Sequence, residues 1–158
     1  MIELYGLNME AIINKKAKFD YFLEENYECG IILEGWELKP ILKRKVNLDM
    51  SHVIIKDGEV FLLNCNITPE KTSDLFSKIE PTRTRKLLLN KKEITHLIGK
   101  VEQKGYTLIP TKIYKKGSKF KVEVCLGKGK KNHDKREAVK QRDWEREQSS
   151  IMKKRNTI

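Results

Sequence analysis

The sequence predicts a mainly β domain with helices inserted late: a small antiparallel barrel, closed or partly closed, followed by a basic tail. Three observations carry this. Aromatic and branched residues alternate with charged ones over short runs, which is the period of a half-buried strand. Two pairs of such runs each flank a dipeptide suited to a tight turn, Asp57-Gly58 and Lys116-Gly117. No strand–helix–strand unit repeats, so a doubly wound parallel sheet has no support, whereas closing an antiparallel sheet removes its exposed edges. At 158 residues the chain supplies one domain with one core and an appendage, while two domains would each be marginal.

Taken in order, residues 18–25 and 30–39 read as strands, with Phe19, Tyr21 and Leu23 and then Ile32, Trp36 and Leu38 among charges. Pro40 marks where strand pairing stops or reaches an edge. HVIIK and EVFLLNCNI form a hairpin across Asp57-Gly58, a dipeptide that tolerates the positive φ of a primed turn. Residues 68–81 connect without a strong period, and TRTRKLLLNKKEITHLIGKVEQKG then turns helical. Asn90-Lys91-Lys92-Glu93 has capping-box spacing, so the helix begins at Asn90. Its apolar side is Ile94, Leu97, Ile98 and Val101, and Gly105 is its stop. Residues 107–114 and 119–126 make the second hairpin, for about six strands in all.

The net charge of +11 favours polyanions, nucleic acid before an anionic membrane. More than half of that excess, +6, lies in the last 32 residues, where 11 Lys and Arg face 5 Asp and Glu. Those residues, 127–158, hold too few apolar side chains to bury a helix against a core, so the barrel is assigned to 1–126 and the rest to a tail. No apolar run approaches the ~20 residues of a membrane span, and the N-terminus lacks an export signal, so a soluble cytoplasmic protein is expected. Cys29, Cys65 and Cys125 are odd in number and widely spaced, which suggests neither a disulfide framework nor a zinc site.

The densest cationic phrase is GKGKKNHDKRE, residues 127–137. It is not a Walker loop, because the third element of that motif, a Ser or Thr after Gly-Lys to hold magnesium, is absent. His133-Asp134 has no triad or metal-ligand set to join, since His52 and His96 lie on other elements. No catalytic residue, cofactor or metal is therefore expected. Placed on a helix at ~100° per residue, Lys131, Lys135, Arg142, Arg146 and Lys153 share a stripe of about 60°. Trp144 and Ile151 fall on roughly the opposite side. Such a helix offers phosphates a cationic edge and a partner surface a sparse apolar one. A charge run at a chain end is equally often a solvating tail, but the lone Trp144, with no local core, argues for docking.

Beyond these local patterns, NKKAKFDYFLEENYECGIILEGWELK resembles the N-K-x-A-x-x-x-Y-F-I-E-E and E-A-G-x-x-L-x-G-W-E-V-K blocks of the SsrA-binding protein family, also called small protein B. NITP, PTRTRKLLLNKKEI, GYTLIPTKIY and above all GKGKKNHDKRE match the same family, so the resemblance covers almost the whole chain. It implies an oligonucleotide-binding type barrel with embedded helices, and the bacterial function of partnering transfer-messenger RNA in ribosome rescue (trans-translation). The barrel would grip the tRNA-like part of that RNA. The tail would become helical in the vacant mRNA channel of the small subunit, against 16S rRNA near the decoding centre. Elongation factor Tu and alanyl-tRNA synthetase would be partners through the charged RNA, and the protein would act as a monomer away from membranes.

Position by position, the resemblance implies RNA-binding roles for Asn14, Lys15, Glu28, Leu88 and Asn90. A carboxylate at Glu28 makes sense as an acceptor for base amino groups or a 2′-OH, which a Lys could not be. By pattern alone Glu28 reads as a solvent-facing turn residue, Leu88 fits a core, and Asn90 has its capping role. In the tail the resemblance implies ribosome contacts for Lys128, Lys130, Lys131, His133, Asp134, Lys135, Arg136, Arg142, Trp144, Arg146 and Ile151. Lys135 and Arg136 would meet phosphates, His133 would stack on a base, and Asp134 would order the turn into the helix. The sequence departs from the family over residues 40–52. Pro40, Leu42, Arg44, Met50 and His52 stand where the family has Ser, Arg, Gly, Asp and Tyr, and the lost glycine implies a reshaped loop. The alternative is a generic RNA-binding barrel, such as a ribosomal protein or RNA chaperone. A nuclease would need a metal-centred cluster that is not found.

Overall fold

Strand-forming runs and capped helices alternate along the chain, and the computed structural model describes residues 9–70, 78–103 and 105–156. The N-terminal eight residues, read as lacking an export signal, and residues 71–77 of the 68–81 connection lie outside that range. The elements are β1 (Ile12–Ile13), α1 (Lys15–Asp20), β2 (Tyr21–Ile31), a 3-10 turn (Gly35–Glu37), α2 (Leu38–Leu42), β3 (Val46–Asn47), β4 (His52–Lys56), β5 (Glu59–Leu63), β6 (Asn66–Ile67), β7 (Arg85–Leu88), α3 (Lys91–Val101), β8 (Tyr106–Lys116), β9 (Lys119–Gly129) and α4 (Asn132–Asn156).

Strands β8, β4, β5, β7, β2 and β9 are hydrogen-bonded in that order, and β9 pairs back onto β8. All these pairings are antiparallel, so six strands close a ring, with β1 added along β8. The barrel expected from the alternating pattern is the one that forms. Its interior holds Cys29, Val53, Val60, Leu62, Leu87, Ile113, Val122, Val124 and Leu126, with Leu97 of α3 plugging one part of it. Asp57 and Gly58 take φ of +54° and +74°, as a primed hairpin turn requires. Burial pushes the Cys29 thiol up to about 12 and the Cys65 thiol up to about 11, so both stay protonated and inert at neutral pH.

Four local readings are corrected. Residues 18–20 are helical, because Asn14 caps α1 and its side chain accepts from the Ala17 N–H at 3.2 Å. The strand read as 30–39 ends at Ile31. From Gly35 the chain is helical, entered through a reciprocal Glu34/Glu37 capping box, and Pro40 sits inside α2 where no earlier turn demands its N–H. Arg85–Leu88, read as the approach to a helix, is strand β7, paired to both β5 and β2. The second hairpin is longer than expected and turns at Gly117-Ser118, with Lys116 opposite Lys119.

At the start of residues 40–52 the chain leaves α2 through a tight cap that contains no glycine. Arg44 itself adopts φ +62°, the Lys45 N–H donates to the Pro40 carbonyl at 2.8 Å, and the Arg44 N–H to the Ile41 carbonyl at 3.0 Å. These are the two bonds of a Schellman cap, with arginine where glycine is usual. The left-handed backbone costs about 1–2 kcal/mol. The Arg44 guanidinium offsets part of this by donating to the Glu10 and Ala11 carbonyls at 2.7 and 3.4 Å. Arg44 thus closes a glycine-type cap itself and ties it to the chain before β1.

One buried polar cluster had no sequence signal. Glu37 and Arg85 are both fully buried and ion-paired, and Arg83 joins them on the same carboxylate. Arg85 also donates to the Cys65 carbonyl at 2.6 Å and the Pro81 carbonyl at 3.1 Å, while the Glu34 N–H donates to Glu37 at 2.6 Å. The cluster joins the 3-10 turn to β7 and to the chain on both sides of β6.

Candidate RNA interface

Alternation along β2 puts Glu28 on the outer face of the barrel and Cys29 in the core. Gly30 pairs with Leu88 of β7 on one side and Lys121 of β9 on the other. A Cβ at Gly30 would stand 3.2 Å from Leu88 Cβ, so the glycine lets the Leu88 side chain lie across the strand. Leu88 is 50% exposed, which excludes the core reading left open by its pattern. Past it, Asn90 caps α3 in a full capping box: its side chain accepts from the Glu93 N–H at 2.8 Å, and Glu93 accepts from the Asn90 N–H at 3.3 Å. Glu28, Leu88 and Asn90, 62 positions apart at the extremes, thus line one open groove of about 530 Å³. Leu33, Leu38 and Phe120 add apolar wall, and Lys119 and Lys121 add a cationic rim.

Glu28 is held in place. Tyr114 donates its hydroxyl at 2.7 Å, and the Lys116 ammonium lies 3.2 Å from the other oxygen. The Tyr114 hydrogen bond first, and the Lys116 contact second, hold the Glu28 carboxyl below the usual carboxylate range. Desolvation and the bond to Glu28 push the Tyr114 hydroxyl up. For a carboxylate the sign is direct: a depressed folded pKa gives a contribution that is present at neutral pH and lost only as pH falls through the folded value, below the usual ~4.3. Glu28 therefore remains an acceptor throughout pH 5 to 8. An NMR titration of its side-chain carboxyl is expected to show a midpoint below ~4.3 that rises in Tyr114→Phe; a midpoint at or above that value contradicts the geometry. Tyr114, Lys116, Lys119 and Lys121 escaped the sequence reading. The signal was there in their alternation on the second hairpin, but which strand lay beside it was not.

Asn14 and Lys15 lie elsewhere. Asn14 is 3% exposed, and its amide donates to the Pro110 and Leu48 carbonyls at 2.8 and 3.3 Å while capping α1. Both of its amide protons and its side-chain oxygen are engaged inside the protein, so it sets α1, which carries the exposed Lys15. Lys15 and Lys18 of α1 face Arg142 and Arg146 of α4 across a second groove of about 530 Å³, floored by Ile13, Phe19 and Ala138.

The tail phrase is divided by the structure. Lys128 is on β9, opposite both Phe22 and Tyr106. The Lys130 N–H donates to the Asp20 carbonyl at 2.9 Å and its ammonium to the Lys18 carbonyl at 3.0 Å. Asp134 accepts from the Lys131 N–H at 3.2 Å, which caps α4, and its other oxygen lies 3.1 Å from His133 Nε2. Lys135 reaches Asp20 at 3.5 Å. Beyond that the helix touches α1 and then runs with its side chains exposed. Arg136, Arg142 and Arg146 point to solvent or the α1 groove, and Trp144 and Ile151 are 57% and 40% exposed. Among the described residues no group of three or more His, Cys, Asp or Glu is placed to hold a metal, and no helix is long and apolar enough to cross a membrane.

Comparison with known proteins bears on the whole chain. The family model for SmpB protein matches residues 11–154, through the barrel and most of α4. An SsrA-binding protein of Cupriavidus taiwanensis is 52% identical over 140 residues, covering 89% of this chain and 94% of its own length. That of Methylibium petroleiphilum is 50% identical over 140 residues, covering 89% and 90%. A solved structure described as "tmRNA-SmpB: a journey to the center of the bacterial ribosome" is similar with a TM-score of 0.65 at 41% identity, over 82% of this chain and 94% of that one. With the barrel, the Glu28 groove and the capped start of the tail helix all inside the matched span, the chain belongs to the SmpB, or SsrA-binding protein, family.

Proposed function

We propose that this protein is a non-enzymatic, cytoplasmic RNA-binding adaptor for trans-translation. The barrel, residues 1–126 with the strand continuing to Gly129, binds the tRNA-like domain of transfer-messenger RNA. The tail follows the mRNA channel of a stalled ribosome's small subunit to the decoding centre. The observation that carries the first part is the convergence of Glu28, Leu88 and Asn90 in one groove rimmed by Lys119 and Lys121. There a fixed carboxylate accepts from base amino groups or a 2′-OH, Leu88 packs on a sugar or base face, and the lysines meet phosphate. Family membership and the relatives' names support the choice of RNA. Asn14 positions Lys15. Lys128, Lys130, Lys131, His133, Lys135, Arg136, Arg142 and Arg146 serve as ribosomal RNA contacts, with Asp134 ordering the turn and Trp144 and Ile151 docking the apolar edge. Elongation factor Tu and alanyl-tRNA synthetase join through the charged RNA, and the protein acts as a monomer.

The test is competition binding of the full chain to transfer-messenger RNA, an ordinary tRNA and a random RNA of equal length at near-physiological salt. A preference for transfer-messenger RNA is expected, with Glu28→Ala weakening that complex by about 10- to 150-fold, the worth of a charge-assisted hydrogen bond, and leaving random RNA nearly unchanged. Equal binding to all three would replace the adaptor reading with that of a generic RNA-binding barrel.

A further inference from the structure

Far from the Glu28 groove, the opposite end of β2 carries an aromatic and cationic row that the groove does not use. Phe22, Lys128 and Tyr106 are direct cross-strand partners on β2, β9 and β8, so their side chains share one side of the sheet. Phe22 is 48% exposed although it is large and apolar. The Lys130 ammonium stands 5.1 Å from the Phe22 ring centre, and the Lys128 ammonium 5.4 Å from that of Tyr106. Gly105, beside the Tyr106 end, takes φ +91°, and a Cβ there would come within 3.4 Å of Lys128 Cε, so the lysine lies along bare backbone. Phe22 and Glu28 are six positions apart along β2, roughly 20 Å, too far for one nucleotide to reach both sites.

We propose that Phe22, with Lys128 and Lys130, is a stacking site for one unpaired RNA nucleotide, separate from the Glu28 groove. The base lies on the Phe22 ring and the two lysines hold the flanking phosphates. The exchange is favourable in magnitude. A cation over an exposed ring is worth about 2- to 5-fold in an equilibrium constant, whereas a base stacked on it is worth about 5- to 150-fold. Lys130 gives up the ring and, where it swings away, its 3.0 Å bond to the Lys18 carbonyl, and the same ammonium gains a charged phosphate oxygen in exchange. Tyr106 is the weaker platform: its hydroxyl is engaged with Glu24 at 3.3 Å, which puts a carboxylate beside it, and it is less exposed. The ligand carries no sequence information at this site, since nothing on the row is placed to read a base edge.

This inference rests on the RNA-binding reading of the protein, and the experiment separates the two. Affinity is measured for a short mixed-sequence single-stranded RNA and for the same strand with abasic positions, using the wild-type chain, Phe22→Leu and the pair Lys128→Gln/Lys130→Gln. The leucine keeps apolar volume and removes the ring face, and its thermal midpoint checks folding. The wild type is expected to prefer the intact strand by about 5-fold or more, and Phe22→Leu to bind both strands alike. The lysine pair is expected to weaken both strands equally and lower the salt slope by about 1.4. A preference that survives in Phe22→Leu, or is absent from the wild type, overturns the proposal, whereas loss of preference for transfer-messenger RNA over tRNA in the wild type overturns only the adaptor reading. Repeating the measurement with transfer-messenger RNA and with purified small ribosomal subunits identifies the source of the nucleotide as the arm that Phe22→Leu weakens. No weakening in either arm also overturns it.

Discussion

Glu37→Ala is expected to lower the unfolding free energy by about 3–5 kcal/mol, a large share of the ~5–15 kcal/mol that holds a domain together. The carboxylate is fully buried and accepts from Arg83, from Arg85 and from the Glu34 N–H. Its removal strands the Arg85 guanidinium in the interior with only carbonyl oxygens for company. The cost lies in the abandoned charge rather than in the lost pair. Glu37→Met combined with Arg85→Met is therefore expected to be less damaging than either change alone. Urea midpoints with an unchanged slope would measure this. A loss below about 1 kcal/mol in Glu37→Ala would show that the interior tolerates Arg85 unpaired. The effect reaches function because α2 contributes Leu38, and the link between β2 and the 3-10 turn Leu33, to the wall of the Glu28 groove.

The second large effect follows from the proposed division between barrel and tail. Arg136, Arg142 and Arg146 lie on an exposed helix, so their joint replacement by Gln leaves the core intact. Binding to transfer-messenger RNA is expected to change by no more than about threefold, because the Glu28 groove is untouched. Binding to stalled ribosomes is expected to fall on the order of tenfold or more, and the slope of log affinity against log salt to drop by about 2, at ~0.7 for each lost phosphate contact. Peptide tagging on a truncated message reads the consequence. Equal losses with both RNAs would mean that the tail helps grip transfer-messenger RNA and the division fails.

The elements legible in the sequence were those whose signal is local. The Asp57-Gly58 hairpin and the Asn90 capping box needed only neighbours within a few residues, and both formed as expected. The misread stretches were those where a cap or a distant partner overrides the pattern. Phe19 fits a strand by alternation, yet Asn14, tied to Pro110 and Leu48, starts a helix beneath it. Residues 35–39 read as the end of a strand, but the Glu34/Glu37 box and the Arg83–Glu37–Arg85 cluster wind them into helix. Arg85–Leu88 becomes a strand because β5 and β2 leave a gap in the ring that it fills.

The sequence by itself determined the class of the protein: a basic, mainly β chain with a cationic tail and the motifs of one RNA-binding family. Local periodicity and charge are properties of neighbouring residues, and they survive without knowledge of the fold. Only the tertiary structure decided which of those residues act together. Ring closure brings Glu28, Leu88 and Asn90 to one groove, gives Glu28 its Tyr114 and Lys116 donors, and sets Phe22 beside Lys128 and Lys130 at the far end. Strand register has a period of two and is set by long-range pairing, so a shift of one residue would turn each of these side chains to the other face. That is why the chemistry of the site was written in the sequence, while its geometry was not.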